Sequence, residues 1–505
     1  MTIRNNLVCN NLICLVWGAV ATALGLTFVL SSCQKERFTD DPGDRLAYST
    51  DTLRFDTVFT QLGSATRILK IYNPHKRSMR ISRIALEGAG KARFELNVDG
   101  LPGAEHRDLD IAPNDSLYVF ARVTINPDEP LSSSPFVVEA QIAVEYNDNL
   151  DRVQVEAWGQ NAVYLPSRFG AGGIAGYGCG GGEWVWDDPR PYVIYGILVV
   201  DSCTVRIPAG KRVYVHGGLG RIVTDTSVIR YNDGFIAFIN QGRLLIEGTQ
   251  DNPVIIEGDR LESEFSKTPG QWTGIWLQAG TSGHRIEHAI IRNGIIGVRV
   301  DSAADLTLRH TQIYRTTGPA VIGIHARIEA ENCLFFRNGG FAIQLEYGGV
   351  YRFNYCTAAT YGVSTDALRM TNGRCLDPVC ANFATNPLDA RFVNCILHGA
   401  RADQVSLTEL PGAAFEYRLE HCIVKVRDLT RPNAYPDFFD FCDPCLNASA
   451  DEVIFVNPNQ DEYRLDTLMS VANGYARPIS GIATDLDGKL RDAVMPDAGC
   501  YEIEF

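Results

Sequence analysis

The chain has 505 residues, 45% apolar and 21% charged, with a formal net charge of −14. That balance fits folded globular protein and excludes a low-complexity chain. The acidic surplus argues against a nucleic-acid binder, which needs a basic face.

Residues 1–32 read as a signal peptide rather than fold. Arg4 supplies a short positive start, Leu12 to Leu30 is mostly apolar, and Ser31-Ser32 closes the run on small residues. An uncleaved anchor is the alternative, because the run nearly spans a bilayer. Leu30-Ser31-Ser32-Cys33 resembles the bacterial lipobox, which implies cleavage before Cys33 and a lipid on Cys33. Residues 33–47 are expected as a polar tether. Gln34-Lys35-Glu36-Arg37 with Asp40-Asp41 resembles the export signal of Bacteroidetes surface lipoproteins. The resemblance implies an outer-membrane protein facing outward, with the periplasmic face as the alternative.

Residues 48–162 carry short alternating strands separated by turn signals. Leu117, Val119, Ala121, Val123 and Ile125 alternate with polar and aromatic residues, and Val138, Ala140, Ile142, Val144 and Tyr146 do the same. This predicts a β-sandwich. The strings at 55–86, 112–127 and 155–162 resemble the immunoglobulin-like domain of Bacteroidetes lipoproteins, which implies a spacer or docking module.

Residues 163–192 are expected as a Gly-rich linker. Their "FGAGGIAGYGCGGG" lacks the following helix that a phosphate cradle requires. From 193 to 427 the chain reads as a parallel β-helix. His288, His310, Asn332, Tyr355, Asn394 and His421 recur at steps of 22, 22, 23, 39 and 27 residues. A period near 22 with short β segments marks stacked coils. The longer steps carry surface loops, at roughly 369–389 and 400–415. The next column is Ala289, Thr311, Cys333, Cys356, Cys395 and Cys422, small residues suited to a tight inner corner. Two further on come Ile291, Ile313, Phe335, Ala358, Leu397 and Val424, the filling of the same strand face. The aligned His, Asn and Tyr residues mark the bend, where Asn tolerates left-handed backbone. Trp272 is expected to pack under a loop rather than to stack on a sugar.

The four cysteines of the corner column read as small buried hydrophobes. Cys375/Cys380 and Cys442/Cys445 are the disulfide candidates of an exported protein. A zinc site from the two pairs is the alternative, disfavoured by the gap of more than sixty residues between them. No motif asks for a metal or a cofactor.

The strings at 191–218, 243–258 and 270–280 resemble the opening coils of Bacteroidetes β-helix lipoproteins. Asp485-Leu486-Asp487-Gly488 and Pro496 to Glu502 resemble their C-terminal segment, with Cys500 in place of a small residue. The resemblance implies an all-β chain: a sandwich, then a right-handed parallel β-helix, then a cap over 428–505. Asp-Ser/Thr-aliphatic tripeptides at 51, 56, 115 and 466 resemble that group's O-glycosylation sequons.

No catalytic constellation stands out in the sequence. The one basic column, Arg292, Arg315 and Arg337, suits an anionic ligand. His284, His288 and His310 are its expected neighbours. The expected role is a non-catalytic interaction component, anchored through its N-terminal lipid and docking an outer-membrane protein or an extended glycan. A polysaccharide-binding or lyase-like protein is the alternative.

Overall fold

The computed structural model describes residues 37–503, apart from 60–63, 65, 89–91, 126–135, 167–174, 224–227, 233 and 264. The signal peptide and Cys33 lie outside the described residues. Among the described residues the fold is all-β, with only short 3-10 turns besides. It divides into two compact units, Met1–Gln160 and Asn161–Phe505.

The first unit is two five-stranded sheets around one core. Pairing is antiparallel except between Thr52–Phe59 and Asn149–Gln160, which run parallel. The alternation seen in the sequence is the inward set of the strands Ser116–Ile125 and Phe136–Tyr146. Val119, Val123, Ile125, Ile142 and Val144 are fully buried. The segment read as a tether is instead bound to this unit from residue 37 onward. Thr39 N donates to Ser78 O at 3.0 Å, and Leu46 N donates to the Tyr146 hydroxyl at 3.2 Å. Leu46 itself is buried, which gives the segment an apolar hold that its charged composition hides.

The second unit is a parallel solenoid of the β-helix kind. Sheet A has eleven strands, from Val163–Pro166 to Cys445–Asn447. The other ladder has sixteen strands and bends into two faces. Sheet B begins Ala175–Gly178, Ile197–Asp201, Phe235–Ile239 and Gly274–Leu277. Sheet C begins Glu183–Val185, Thr204–Pro208, Arg243–Glu247 and His284–Glu287. The long strands Val321–Glu331 and Ile343–Asn354 turn the corner between B and C and join them.

The periodic columns are the skeleton of this unit. His288, His310, Asn332, Tyr355, Asn394 and His421 all have left-handed backbone, with φ between 46° and 58°. Each ends a sheet C strand and swings the chain into sheet A. The corner column behind them is at most 1% exposed. A left-handed turn lets the next residue point straight inward, where only a small side chain fits. Ile291, Ile313, Phe335, Ala358, Leu397 and Val424 stack in direct register across sheet A.

Three further expectations are corrected. Residues 163–192 are no linker: Val163–Pro166, Ala175–Gly178 and Glu183–Val185 form the first coil, so the solenoid begins near 163 rather than 193. Strands of three or four Gly-rich residues are too short to show alternation. Cys179, within this stretch, is disulfide-bonded to Cys203 in the next coil. The second correction is at 400–415, where Val405–Thr408 is a sheet B strand. The loop at 373–385 is a surface hairpin closed by a Cys375–Cys380 disulfide.

The third correction concerns the cap. Residues 454–503 run along the outside of sheet A as a strap. Phe455, Tyr463, Leu465, Leu486 and Cys500 share a core with Tyr314, Leu334, Phe336, Ile396 and Ile423 of sheet A. The solenoid's ends are filled by aromatic side chains instead. Tyr177, Trp184, Trp186 and Tyr192 pack in stacked and edge-on pairs at one end, and Tyr417, Phe438 and Phe439 at the other. The solenoid needs its flank covered because sheet A's outward row is itself apolar. Cys442 and Cys445 form a disulfide beside the second plug.

Candidate functional site

The arginine column does not form one row. Arg292 pairs in register with Tyr314, whereas Arg315 and Arg337 occupy left-handed bends at φ 54°, where the equivalent residue is Asn293. Asn293, not Arg292, is therefore the structural counterpart of Arg315 and Arg337. Arg292 Nε donates to Glu257 at 2.7 Å and its Nη1 to the Tyr314 hydroxyl at 3.0 Å. Arg315 and Arg337 both donate to the strap carboxylate of Asp461, at 2.8 and 2.5 Å. Lys267 joins them around an open groove of about 610 Å³. Asp461 already supplies the anion that the column was read as awaiting. These arginines hold the strap.

The three histidines separate as well. His288 and His310 stack at 4.5 Å on the bend. His284 is in the solenoid interior, where its Nδ1 accepts from Leu244 N at 3.0 Å. Burial holds its pKa down at about 4, so it is neutral there. Trp272 is fully buried and donates to Arg292 O at 2.9 Å, a packing residue as expected.

A second lock on the strap explains the C-terminal motif. Arg491 is 3% exposed and reaches Glu502 at 3.1 Å, Asn332 Oδ1 at 2.7 Å and Gly499 O at 3.0 Å. Its guanidinium lies 3.8 Å over the Tyr355 ring. The carboxylates around it are filled by backbone N–H groups. Asp485 accepts from Lys489 and Glu502, Asp497 from Gly474 and Ile503, and Glu502 from Asp492 and Asp497. Nothing local in the sequence marks Asn332, a bend residue, as the anchor of this network.

Among the described residues, the open face lies on sheet B. Its central outward row runs Gly176, Val199, Ala237, Trp276, Arg299, Ile322, Gln344, Arg369, Ser406 in register. The first four are apolar or bare. With Phe235 and Ile239 they line a shallow groove of about 390 Å³. Trp276 is fixed in it. Its Nε1 donates to Asp301 at 2.5 Å, Arg299 lies 5.1 Å over its ring, and Phe235 packs 6.3 Å away. Arg299 is itself tied to Asp301 at 2.7 Å. A large amphipathic side chain held rigid in an apolar trough loses little entropy when a partner covers it. The sequence signal was present but weak: outward positions carrying Val, Ala and Trp across strands spaced by irregular loops.

One polar pair has the geometry of acid–base chemistry. His216 Nδ1 meets Asp259 Oδ2 at 2.6 Å, and its ring stacks on Tyr195 at 4.2 Å. In the same sheet A register region Glu257, almost fully buried, lies between Arg212 and Arg292. An Asp-oriented imidazole keeps Nε2 for a ligand. Among the described residues no group of three His, Cys, Asp or Glu is placed to hold a metal. Nor is any helix among them long and apolar enough to cross a membrane.

No protein-family model matches the chain, and no curated protein matches it. The solved structures that are distantly similar include two glycoside hydrolases. A family 123 glycoside hydrolase from Clostridium perfringens, acting on glycolipid glycans, aligns at 7% identity and TM-score 0.15 over 24% of this chain. The alignment spans about 30% of that hydrolase. The catalytic unit of a GH87 α-1,3-glucanase from Streptomyces thermodiastaticus aligns at 9% identity and TM-score 0.24. It covers 71% of this chain and 74% of that one. Likeness at that level carries no argument about activity.

Proposed function

We propose that the protein is a non-catalytic interaction component at the surface of an outer membrane, held by a lipid on Cys33. Its sandwich is read as an immunoglobulin-like spacer. Its solenoid is read as a right-handed β-helix, the hand that parallel crossovers almost always take. The partner is an outer-membrane protein, and the sheet B groove is its docking face. The observation that carries this is the rigid, part-exposed Trp276, set with Val199, Phe235 and Ile239 in an apolar groove that the described residues leave open. Such central aromatic anchors dominate protein interfaces. Because Arg299 already lies over the indole, the row suits a protein's apolar side chains better than a stacked sugar ring.

The test is a mild-detergent pull-down of the tagged chain from native membranes, in wild-type and Trp276→Ala forms, read by quantitative mass spectrometry. The reading expects a stoichiometric membrane partner that the variant loses. Recovery of the wild-type chain alone would sink it. Cys33→Ala should abolish incorporation of labelled fatty acid and remove the chain from the outer-membrane fraction.

A second reading, polysaccharide binding or cleavage, is supported by the His216–Asp259 pair. Retention on a polyanionic polysaccharide column that His216→Ala abolishes would favour it. Product formed by the wild type alone would extend it to catalysis.

A further inference from the structure

The corner column ends in sulfur chemistry. Cys333, Cys356, Cys395 and Cys422 are free thiols, each at most 1% exposed, stacked coil on coil. Cys395 N approaches Cys422 Sγ at 3.4 Å, which shows how closely the column is packed. The next position in register is Cys445, paired directly with Cys422. Cys445 is half of the Cys442–Cys445 disulfide, and both of its cysteines pack against the core that contains Cys422. A thiol therefore lies one strand away from a disulfide whose spacing is Cys-x-x-Cys. Parallel neighbours stand about 4.8 Å apart. A disulfide requires Cα atoms about 4.4–6.8 Å apart. The strand spacing at Cys422 and Cys445 thus falls within the range that a disulfide spans.

We propose that Cys422, Cys442 and Cys445 form a thiol–disulfide exchange site at the C-terminal end of the solenoid, whose substrates are disulfides of small molecules or peptides. In the first step the Cys422 thiolate attacks Cys445 Sγ. The Cys422–Cys445 bond forms, the Cys442–Cys445 bond breaks, and Cys442 leaves as the thiolate. One disulfide replaces another, so no electrons enter or leave the chain. The new bond staples the last coil to its neighbour. In the second step the Cys442 thiolate attacks an external disulfide, forms a mixed disulfide and releases the other half as a thiolate. Phe441, Asp443 and Pro444 beside it are exposed, so a short movement of this turn presents the sulfur to solvent. Burial pushes the Cys422 thiol well up, which makes its thiolate scarce at neutral pH and the exchange faster as pH rises. The inference is independent of the docking reading, since it uses no residue of the sheet B groove.

The experiment uses the full chain, incubated with oxidised glutathione at pH 8, quenched in denaturant with an alkylating agent and mapped by peptide mass spectrometry. The expected map contains a Cys422–Cys445 linked peptide and glutathione on Cys442. Cys442→Ser should form Cys422–Cys445 quantitatively, and Cys422→Ser should lose the adduct on Cys442. A wild-type map with only Cys442–Cys445 and unmodified Cys422 overturns the proposal. So does a folded Cys442→Ser protein in which Cys422 and Cys445 both remain free. If that variant does not fold, the wild-type map decides.

Discussion

Sheets A and B are wound from the same coils, and each carries an apolar outward row over part of its length. On sheet A the row Tyr314, Phe336, Ala359 is sealed by the strap, with Phe336 stacked on Tyr314 at 4.4 Å and tilted against Tyr463 at 4.9 Å. On sheet B the row through Val199, Ala237 and Trp276 lines a groove that the described residues leave open. An outward apolar residue is thus no evidence for a partner until the chain's own segments have been placed. The aromatic row on sheet A has found its partner within the chain. The shorter row on sheet B has a rigid indole and a polar flank, which is the make-up of a surface that meets something else.

The sharpest way to break the contrast is to open sheet A. Arg491→Ala leaves Glu502 and its neighbours buried without their cation, and breaking a buried pair in this way costs about 3–5 kcal/mol. The expected result is loss of hydrogen-exchange protection across 454–503 with the inner coils still protected. Equal loss in both would mean that the strap and coils unfold together. Trp276→Ala tests the other side. It should lower partner affinity by a factor on the order of 30, about 2 kcal/mol, as hot-spot residues do. The thermal midpoint should move little, because the residue lies outside the core.

Acid should act on the interior and spare the open face. The folded pKa of His284, about 4, is below its unfolded value of about 6.5. Folding therefore favours the neutral ring, and that stability is lost as pH falls from about 6.5 towards 4. The Leu244 amide, which donates to His284, should lose exchange protection over that window once intrinsic rates are removed. Unchanged protection would place the proton elsewhere. The smallest expected effect is that of Asp461→Asn. It frees Arg315 and Arg337 at a cost of about 1 kcal/mol, since both ion pairs are part-exposed. The same variant should raise retention on an anionic matrix if the freed arginines become a binding site.

The coils were legible because their period is written in residues with no alternative reading. A left-handed bend, a small corner residue and an aliphatic two positions on recur together, and each follows from backbone sterics. The strap was legible as a motif and illegible as a location. Asp485, Asp497 and Glu502 act on backbone N–H groups of their own segment, but the anchor, Asn332, is 159 residues from Arg491. No local pattern encodes that distance. The first coil was missed because its strands are too short for periodicity to appear. The arginine column was seen but misaligned by one residue at Arg292, where Asn293 takes the bend. The sheet B groove was missed because its row is assembled from strands separated by loops of unequal length.

The hairpin at 373–385 has a further consequence. Gly373 and Thr385 pair at its base, and the strands before and after it, Leu368–Thr371 and Leu388–Val393, rejoin their ladders in register. The chain thus measures its coils by angle rather than by length. Cargo added between Cys375 and Cys380 leaves every bend where it was. A foreign peptide or fluorescent label placed there should be carried on the molecule's flank like a pennant on a mast, with the winding beneath it undisturbed.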